Sequence, residues 1–274
     1  MRILLTGNRG RIGSVVQRQL DEEGHEVVGY DIADGHDILN SAGVEKAIRD
    51  CDGVAHLAML FGRSIKPENV FANGTLGTWN ILQAAELHGV GRVVSYSSVN
   101  AMGIFRGEGT PDFLPIDETH ECRPVTAYGI SKYLGEQACR LFTQRTGVPT
   151  VCIRPPAVMN DEVIETIKEA RRRDPEREWT PRNWEYGCYV HVEDLARATV
   201  LALTCPDPGH VVALVIADDV SSAELDSRRL VEKLMPTVPW RGGGEYESDP
   251  FKSLADNSLA KKVLGWKPHY RWHG

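Results

Sequence analysis

The sequence predicts an α/β protein: a doubly wound parallel sheet with a smaller C-terminal lobe. Three observations predict it. Strand and helix signals alternate from Ile3 to Ile153. The strand signals are short runs, apolar on both faces, as expected of strands buried between two layers of helices. A glycine-rich turn, T-G-N-R-G-R-I-G (6–13), joins the first strand signal to the first helix signal.

The elements follow in order. Residues 3–5 form a short apolar strand. Residues 13–23 form an amphipathic helix, with Ile12, Val15, Val16 and Leu20 on one side. A second strand is expected at 26–30, a helix at 44–49 and a third strand at 53–57. Residues 75–88 read as a long helix stopped by Gly89, and 92–97 as the next strand. Residues 127–146 read as a helix that Gly147 ends, followed by a strand at 148–153. After Arg154 the rhythm breaks. Pro155-Pro156 end the strand, 161–173 form a charged helix, and 174–187 a polar loop carrying Trp179 and Trp184. Helices are expected at 192–203 and 221–235, and a strand at 211–217. The chain thus divides into a sheet domain at 1–155 and a small lobe at 156–274, with lobe segments returning to the sheet.

The formal net charge of −7 argues against nucleic acid as the main partner. The opening M-R-I-L-L-T-G is too short for the apolar core of a signal peptide. No apolar run approaches the roughly 20 residues needed to cross a bilayer. The six cysteines lack any C-x-x-C pair and read as small core residues in a reducing cytoplasm, with no metal site.

Gly7, Gly10 and Gly13 stand after a strand and open a helix, so the backbone can turn tightly and approach a pyrophosphate at the helix N-terminus. Asn8, Arg9, Arg11 and Ile12 fill the same loop. Asp31 ends the second strand, where a carboxylate accepts from a ribose 2′-hydroxyl and repels a 2′-phosphate. That favours NAD, while Arg9 and Arg11 leave NADP open. Asp37, with Ile38 in H-D-I-L-N, is placed to contact the adenine amino group and reads equally as a cap or surface acid.

Tyr128 and Lys132, in Y-G-I-S-K, lie four apart on a predicted helix and share a face. An ammonium beside a phenol favours the phenolate and is expected to lower the pKa of Tyr128. Ser98 closes S-Y-S-S (95–98), at the end of a strand, where its hydroxyl is placed to orient a substrate oxygen. With the glycine loop, this set points to hydride transfer in which Tyr128 moves the proton.

On these motifs the chain resembles an extended short-chain dehydrogenase/reductase of the NAD-dependent epimerase/dehydratase family. The matching stretches also include H-L-A (56–58), G-T-W-N-I-L-Q-A-A (77–85), S-S-V-N-A-M-G (97–103), I-R-P (153–155), Y-V-H-V-E-D-L-A (189–196) and L-G-W-K-P (264–268). The resemblance implies a Rossmann domain with a small substrate-binding lobe and a catalytic triad of Ser98, Tyr128 and Lys132. It implies a cofactor seat extending to Leu57, Ala58, Asn73 and Pro155, with Asn73 one residue off the family's distance from Gly77. It also implies a homodimer through the helices at 75–88 and 127–146.

Departures from the pattern narrow the substrate. Val99 and Asn100 stand where the family's dehydratases carry Asp-Glu, which argues against dehydration; with Ser98 they are candidate substrate contacts. A charged helix follows R-P-P-A-V-M-N (154–160) in place of a long nucleotide-binding segment, which weakens a nucleotide-sugar substrate. Length and S-S-V-N-A-M-G are more similar to uronate dehydrogenases, which oxidise a free sugar acid. Arg63, Arg171 and Arg182 are candidates for binding its carboxylate, though each reads more readily as a surface residue. His191 reads as a packing or capping residue. The expected function is NAD-dependent hydride transfer at a hydroxyl or carbonyl of a small sugar or sugar acid. The alternatives are a nucleotide-sugar epimerase with tightly held NAD and a non-catalytic NAD(P) sensor.

Overall fold

The computed structural model describes residues 1–60, 62, 64–174, 185–222 and 225–273. The candidates Arg63 and Arg182, and the tryptophans Trp179 and Trp184, lie outside the described residues. Eight strands are described: β1 (Arg2–Thr6), β2 (Glu26–Tyr30), β3 (Gly53–His56), β4 (Arg92–Tyr96), β5 (Thr150–Arg154), β6 (Ala157–Met159), β7 (Tyr189–His191) and β8 (His210–Leu214). Six form one sheet in the order β2-β1-β3-β4-β5-β8, and β6 pairs with β7 in a second. Every ladder is parallel; at the centre, Leu4 pairs with Val28 on one side and Val54 on the other. This is a Rossmann-like arrangement whose order reverses between β1 and β3, where open α/β sheets form a crevice. All six main strands overlap the apolar runs in the sequence; the inner strands β1, β3, β4 and β5 are the most deeply buried, while the edge strand β2 keeps Glu26 exposed.

The helices are α1 (Arg11–Glu22), α2 (Ser41–Ile48), α3 (Pro67–Ala72), α4 (Thr78–Leu87), α5 (Ala127–Thr146), α6 (Asp161–Arg173), α7 (Val192–Thr204), α8 (Ser227–Leu234), α9 (Glu245–Ser248) and α10 (Ser258–Leu264). Val16 and Leu20 of α1 join Leu195 and Ala198 of α7 on one face of the sheet. Val44 and Ile48 of α2, Ile81 and Ala85 of α4, and Phe142 of α5 cover the other. Each fully buried aliphatic contributes about 1.5–3 kcal/mol. A third core, with Phe105, Leu114, Ile116, Ile216, Leu230 and Leu254, joins the segment before α5 to the C-terminal residues.

Cap chemistry sets the best-defined ends. Thr126 Oγ1 accepts from Gly129 N at 3.2 Å to start α5, and Gly147 at φ 76° stops it. Asn160 Oδ1 accepts from Val163 N at 3.0 Å to start α6, whose first turn is acidic and last turn basic. Two elements differ from expectation. The helix expected at 75–88 begins at Pro67, and a π-helical segment, Asn73–Gly77, links α3 to α4. The helix expected at 221–235 begins only at Ser227, where Asp226 caps it by accepting from Arg229 N at 2.8 Å. Among the described residues, no helix is long and apolar enough to cross a membrane. No described group of His, Cys, Asp or Glu is arranged to hold a metal, and the six cysteines are free thiols.

Candidate active site

The glycine loop leaves β1 and enters α1 with backbone packed against backbone. Gly7 has φ +75°, and a Cβ there would stand 2.9 Å from Ala58 N. A Cβ on Gly13 would stand 2.0 Å from the Gly7 carbonyl oxygen. No side chain caps α1, so its first N–H groups are offered at the helix N-terminus. This narrow cradle fits a pyrophosphate. Thr6 Oγ1 fixes the facing wall by accepting from Leu57 N and Ala58 N, both at 3.1 Å.

Asp31 is buried at the end of β2, where it accepts from Arg9 N at 3.0 Å and Ala33 N at 2.9 Å. The Arg9 guanidinium turns outward to Asp34, with bonds of 2.8 and 3.1 Å. Two acids thus stand at this strand end, and the nearest arginine is already paired with one of them, an arrangement suited to NAD. Asn8 directs its amide onto Gln17 at 3.0 Å, while Ile12 is half-buried and Arg11 exposed. Asp37 Oδ1 accepts from Leu39 N at 2.9 Å, and buried Ile38 lies against Gly77. Asn73 is buried and accepts from Leu60 N at 2.8 Å. Asn73 opens the π-helical segment that runs to Gly77.

Ser98 acts on the Tyr128 phenol, favouring its ionised form. Lys132 is buried; its Nζ lies 5.7 Å from the centre of the Tyr128 ring and donates to the Tyr96 carbonyl at 2.7 Å. Burial draws the Lys132 pKa down to about 8. The expected lowering of the Tyr128 pKa is corrected here. Burial raises it, and the opposing contributions come from Ser98 and the charge of Arg106. Removal of the phenol from water outweighs Ser98 and Arg106, the two groups that favour its ionised form. Val99 N donates to the Pro155 carbonyl at 3.2 Å, which seats the turn after Ser98. The Val99 side chain is buried in the third core, and Asn100 N donates to Ser98 Oγ at 3.2 Å.

Behind this set lies a buried polar network absent from the sequence-based candidates. Glu136, one turn beyond Lys132, accepts from Ser97 Oγ at 2.6 Å and from Arg154 Nε and Nη2 at 2.7 Å each. The available signal was the continuing spacing Tyr128, Lys132, Glu136, with the arginine of I-R-P as partner. His56 is buried between Thr6 Oγ1 at 2.8 Å and Thr78 Oγ1 at 3.3 Å, and burial holds its pKa down to about 3. Arg171 packs on Trp272, with its guanidinium 4.6 Å from the ring centre. His191 caps α7, accepting from Glu193 N at 3.3 Å.

The family model described as NAD dependent epimerase/dehydratase family matches residues 3–217. The chain belongs to that family. It is an NAD-dependent enzyme of the short-chain dehydrogenase/reductase type, whose relatives are epimerases and dehydrogenases. Across 98% of its length it is 28% identical to a UDP-glucose 4-epimerase of Rhizobium meliloti (strain 1021), of which 92% is covered. Across 91% of its length it is 26% identical to a uronate dehydrogenase of Pseudomonas syringae pv. tomato, of which 94% is covered. Its fold is that of the Thermotoga maritima UDP-glucose 4-epimerase structure with UDP-glucose: TM-score 0.74 at 24% identity, covering 99% of this chain and 94% of the other.

Proposed function

We propose that the protein is a dehydrogenase for a small free sugar or sugar acid, with Ser98, Tyr128 and Lys132 as its catalytic set. The observation that carries this reading is the buried Lys132 ammonium 5.7 Å from the centre of the Tyr128 ring, with Ser98 acting on the same phenol. It lies where β4 ends, on the same side of the sheet as the glycine cradle. NAD, when bound, supplies the hydride acceptor and, when oxidised, a further positive charge. In the oxidative direction Tyr128, ionised against the effect of burial by Lys132 and the charge of the oxidised cofactor, would take the proton of the substrate hydroxyl while Ser98 orients its oxygen. Lys132 supports the phenolate and holds the cofactor ribose. In the reductive direction Tyr128, protonated by burial, is the donor.

The cofactor seat in this reading comprises the loop from Gly7 to Gly13, then Asp31, Asp37, Ile38, Leu57, Ala58, Asn73 and Pro155. The substrate lies against the lobe, taken as residues 156–274, and the turn at Ser98, Val99 and Asn100. Val99 and Asn100 supply no acid–base pair, which argues against dehydration. The free thiols fit a cytoplasmic location. A homodimer is supported by exposed apolar residues on α4 and α5: Trp79 is 49% exposed and Leu141 55%.

A second reading, epimerisation of a nucleotide sugar, is favoured by the names of several relatives, among them the Rhizobium enzyme. The two separate when the protein is incubated with NAD and a panel of free uronates, aldoses and nucleotide sugars. A dehydrogenase accumulates NADH with a free sugar. An epimerase interconverts nucleotide sugars without accumulating it, and a sensor binds NAD(H) with no turnover. Unchanged turnover in Tyr128→Phe would remove Tyr128 from the catalytic set.

A further inference from the structure

Two charged side chains from distant segments meet beside the start of α5, where Thr126 Oγ1, two residues before Tyr128, donates to Glu108 Oε1 at 3.4 Å. Arg106 Nε lies 3.9 Å from Glu185 Oε1, and the two side chains are 50% and 16% exposed. Both act on the Tyr128 hydroxyl: the guanidinium favours its ionised form and the carboxylate opposes it. Both backbones are left-handed, with φ 58° at Arg106 and 40° at Glu185; Tyr186 follows at 57°. That conformation costs free energy at non-glycine residues, and such residues cluster at ligand sites. The two segments are pinned together. The Tyr186 hydroxyl donates to the Ile104 carbonyl, and Phe105 meets the Tyr186 ring edge-on at 5.1 Å.

We propose that Arg106 and Glu185 form a subsite for ring hydroxyls of the sugar held at Tyr128, the guanidinium donating and the carboxylate accepting. The inference rests on the reading of Tyr128 as the residue that meets the substrate. An anion facing Arg106 would also face Glu185 and be repelled. A neutral polyol satisfies both groups, because each hydroxyl is at once donor and acceptor.

The test uses Arg106→Gly and Glu185→Gln in the full chain, with D-glucose, D-glucuronate and UDP-glucose as probes. Binding is followed by saturation-transfer NMR with NADH present, and turnover separately with NAD. The wild type binds at least one probe, and each variant weakens that binding about tenfold or more, as for a lost hydrogen bond to a charged group. Arg106→Gly holds or raises the melting temperature, because glycine adopts this φ freely. A variant that loses stability and binding together overturns the proposal, since the residue is then structural. So does binding equal to wild type, or a wild type that binds none of the probes. Binding confined to D-glucuronate and lost only in Arg106→Gly also overturns it, in favour of an anion site. The underlying reading fails separately. Probe binding that needs both residues, with no NADH formed, supports the subsite and sinks the dehydrogenase. NADH formation indifferent to both variants keeps the dehydrogenase and removes the subsite.

Discussion

Replacing Glu136 with Gln tests the network that ties α5 to Ser97, just after β4, and to Arg154 of β5. The carboxylate is buried and receives three short hydrogen bonds, from Ser97 at 2.6 Å and twice from Arg154 at 2.7 Å. Gln keeps the volume and removes the charge, so the buried Arg154 guanidinium faces an amide that can accept at only one of its two polar atoms. Breaking one side of a buried ion pair costs about 3–5 kcal/mol. At about 2 °C per kcal/mol for a chain of this size, the melting temperature falls by roughly 6–10 °C. Converting the pair together, in Glu136→Gln/Arg154→Met, leaves no uncompensated charge and recovers most of the loss. Urea denaturation followed by circular dichroism reads both variants. The negative charge of Glu136 also supports the charged form of Lys132, so in Glu136→Gln the lysine titrates further below about 8, readable by NMR of labelled lysine. A single variant within about 1 kcal/mol of wild type, or a double variant no better than the single, would refute the reasoning.

Three further outcomes are expected. His56 has a folded pKa of about 3 against an ordinary 6.5, so its neutral form is the one the fold favours. Its contribution is complete above pH 6.5 and lost as pH falls toward 3, about 2 kcal/mol of it by pH 5. Stability curves at several pH values should therefore slope less steeply in His56→Gln than in wild type. Gly13→Ala places a methyl 2.0 Å from the Gly7 carbonyl oxygen, so NADH titration should show affinity lost by at least tenfold, or no folded protein should be recovered. Asp34→Asn releases the exposed Arg9 guanidinium, and the affinity ratio of NADPH to NADH should rise roughly two- to fivefold, as for a surface ion pair.

The sheet was legible because its inner strands are buried on both faces and carry short apolar runs, at 3–5, 54–55, 93–94 and 151–153. The ends of α5 and α6 were legible because Thr126, Gly147 and Asn160 are the residue types that caps require. The start of the α3 rod was not. Asn73-Gly74 reads locally as a turn, yet tertiary contacts hold it inside a helix, with Asn73 bonded to Leu60 N. Ser98, Tyr128 and Lys132, the candidate proton-transfer set, stood out as residues, but their electrostatics did not. The pKa of Tyr128 depends on how deeply the fold removes it from water, which no spacing records. Arg106 and Glu185 left no signal at all, since a loop arginine and a loop glutamate meet only through the chain's long-range path.

The π-helical segment at Asn73–Gly77 has a consequence for how the Pro67–Leu87 rod works. Each residue advances a helix by about 100°. One surplus residue in the middle therefore sets the two halves of the rod out of rotational phase. The α4 half keeps Ile81 and Ala85 on the sheet, while Asn73 accepts from Leu60 N in the segment after β3. Removing a single residue from this segment would leave α3 and α4 helical and swing one half around the other. The rod acts as a phase adjuster, letting a single helix serve the core and the crevice from two different angles.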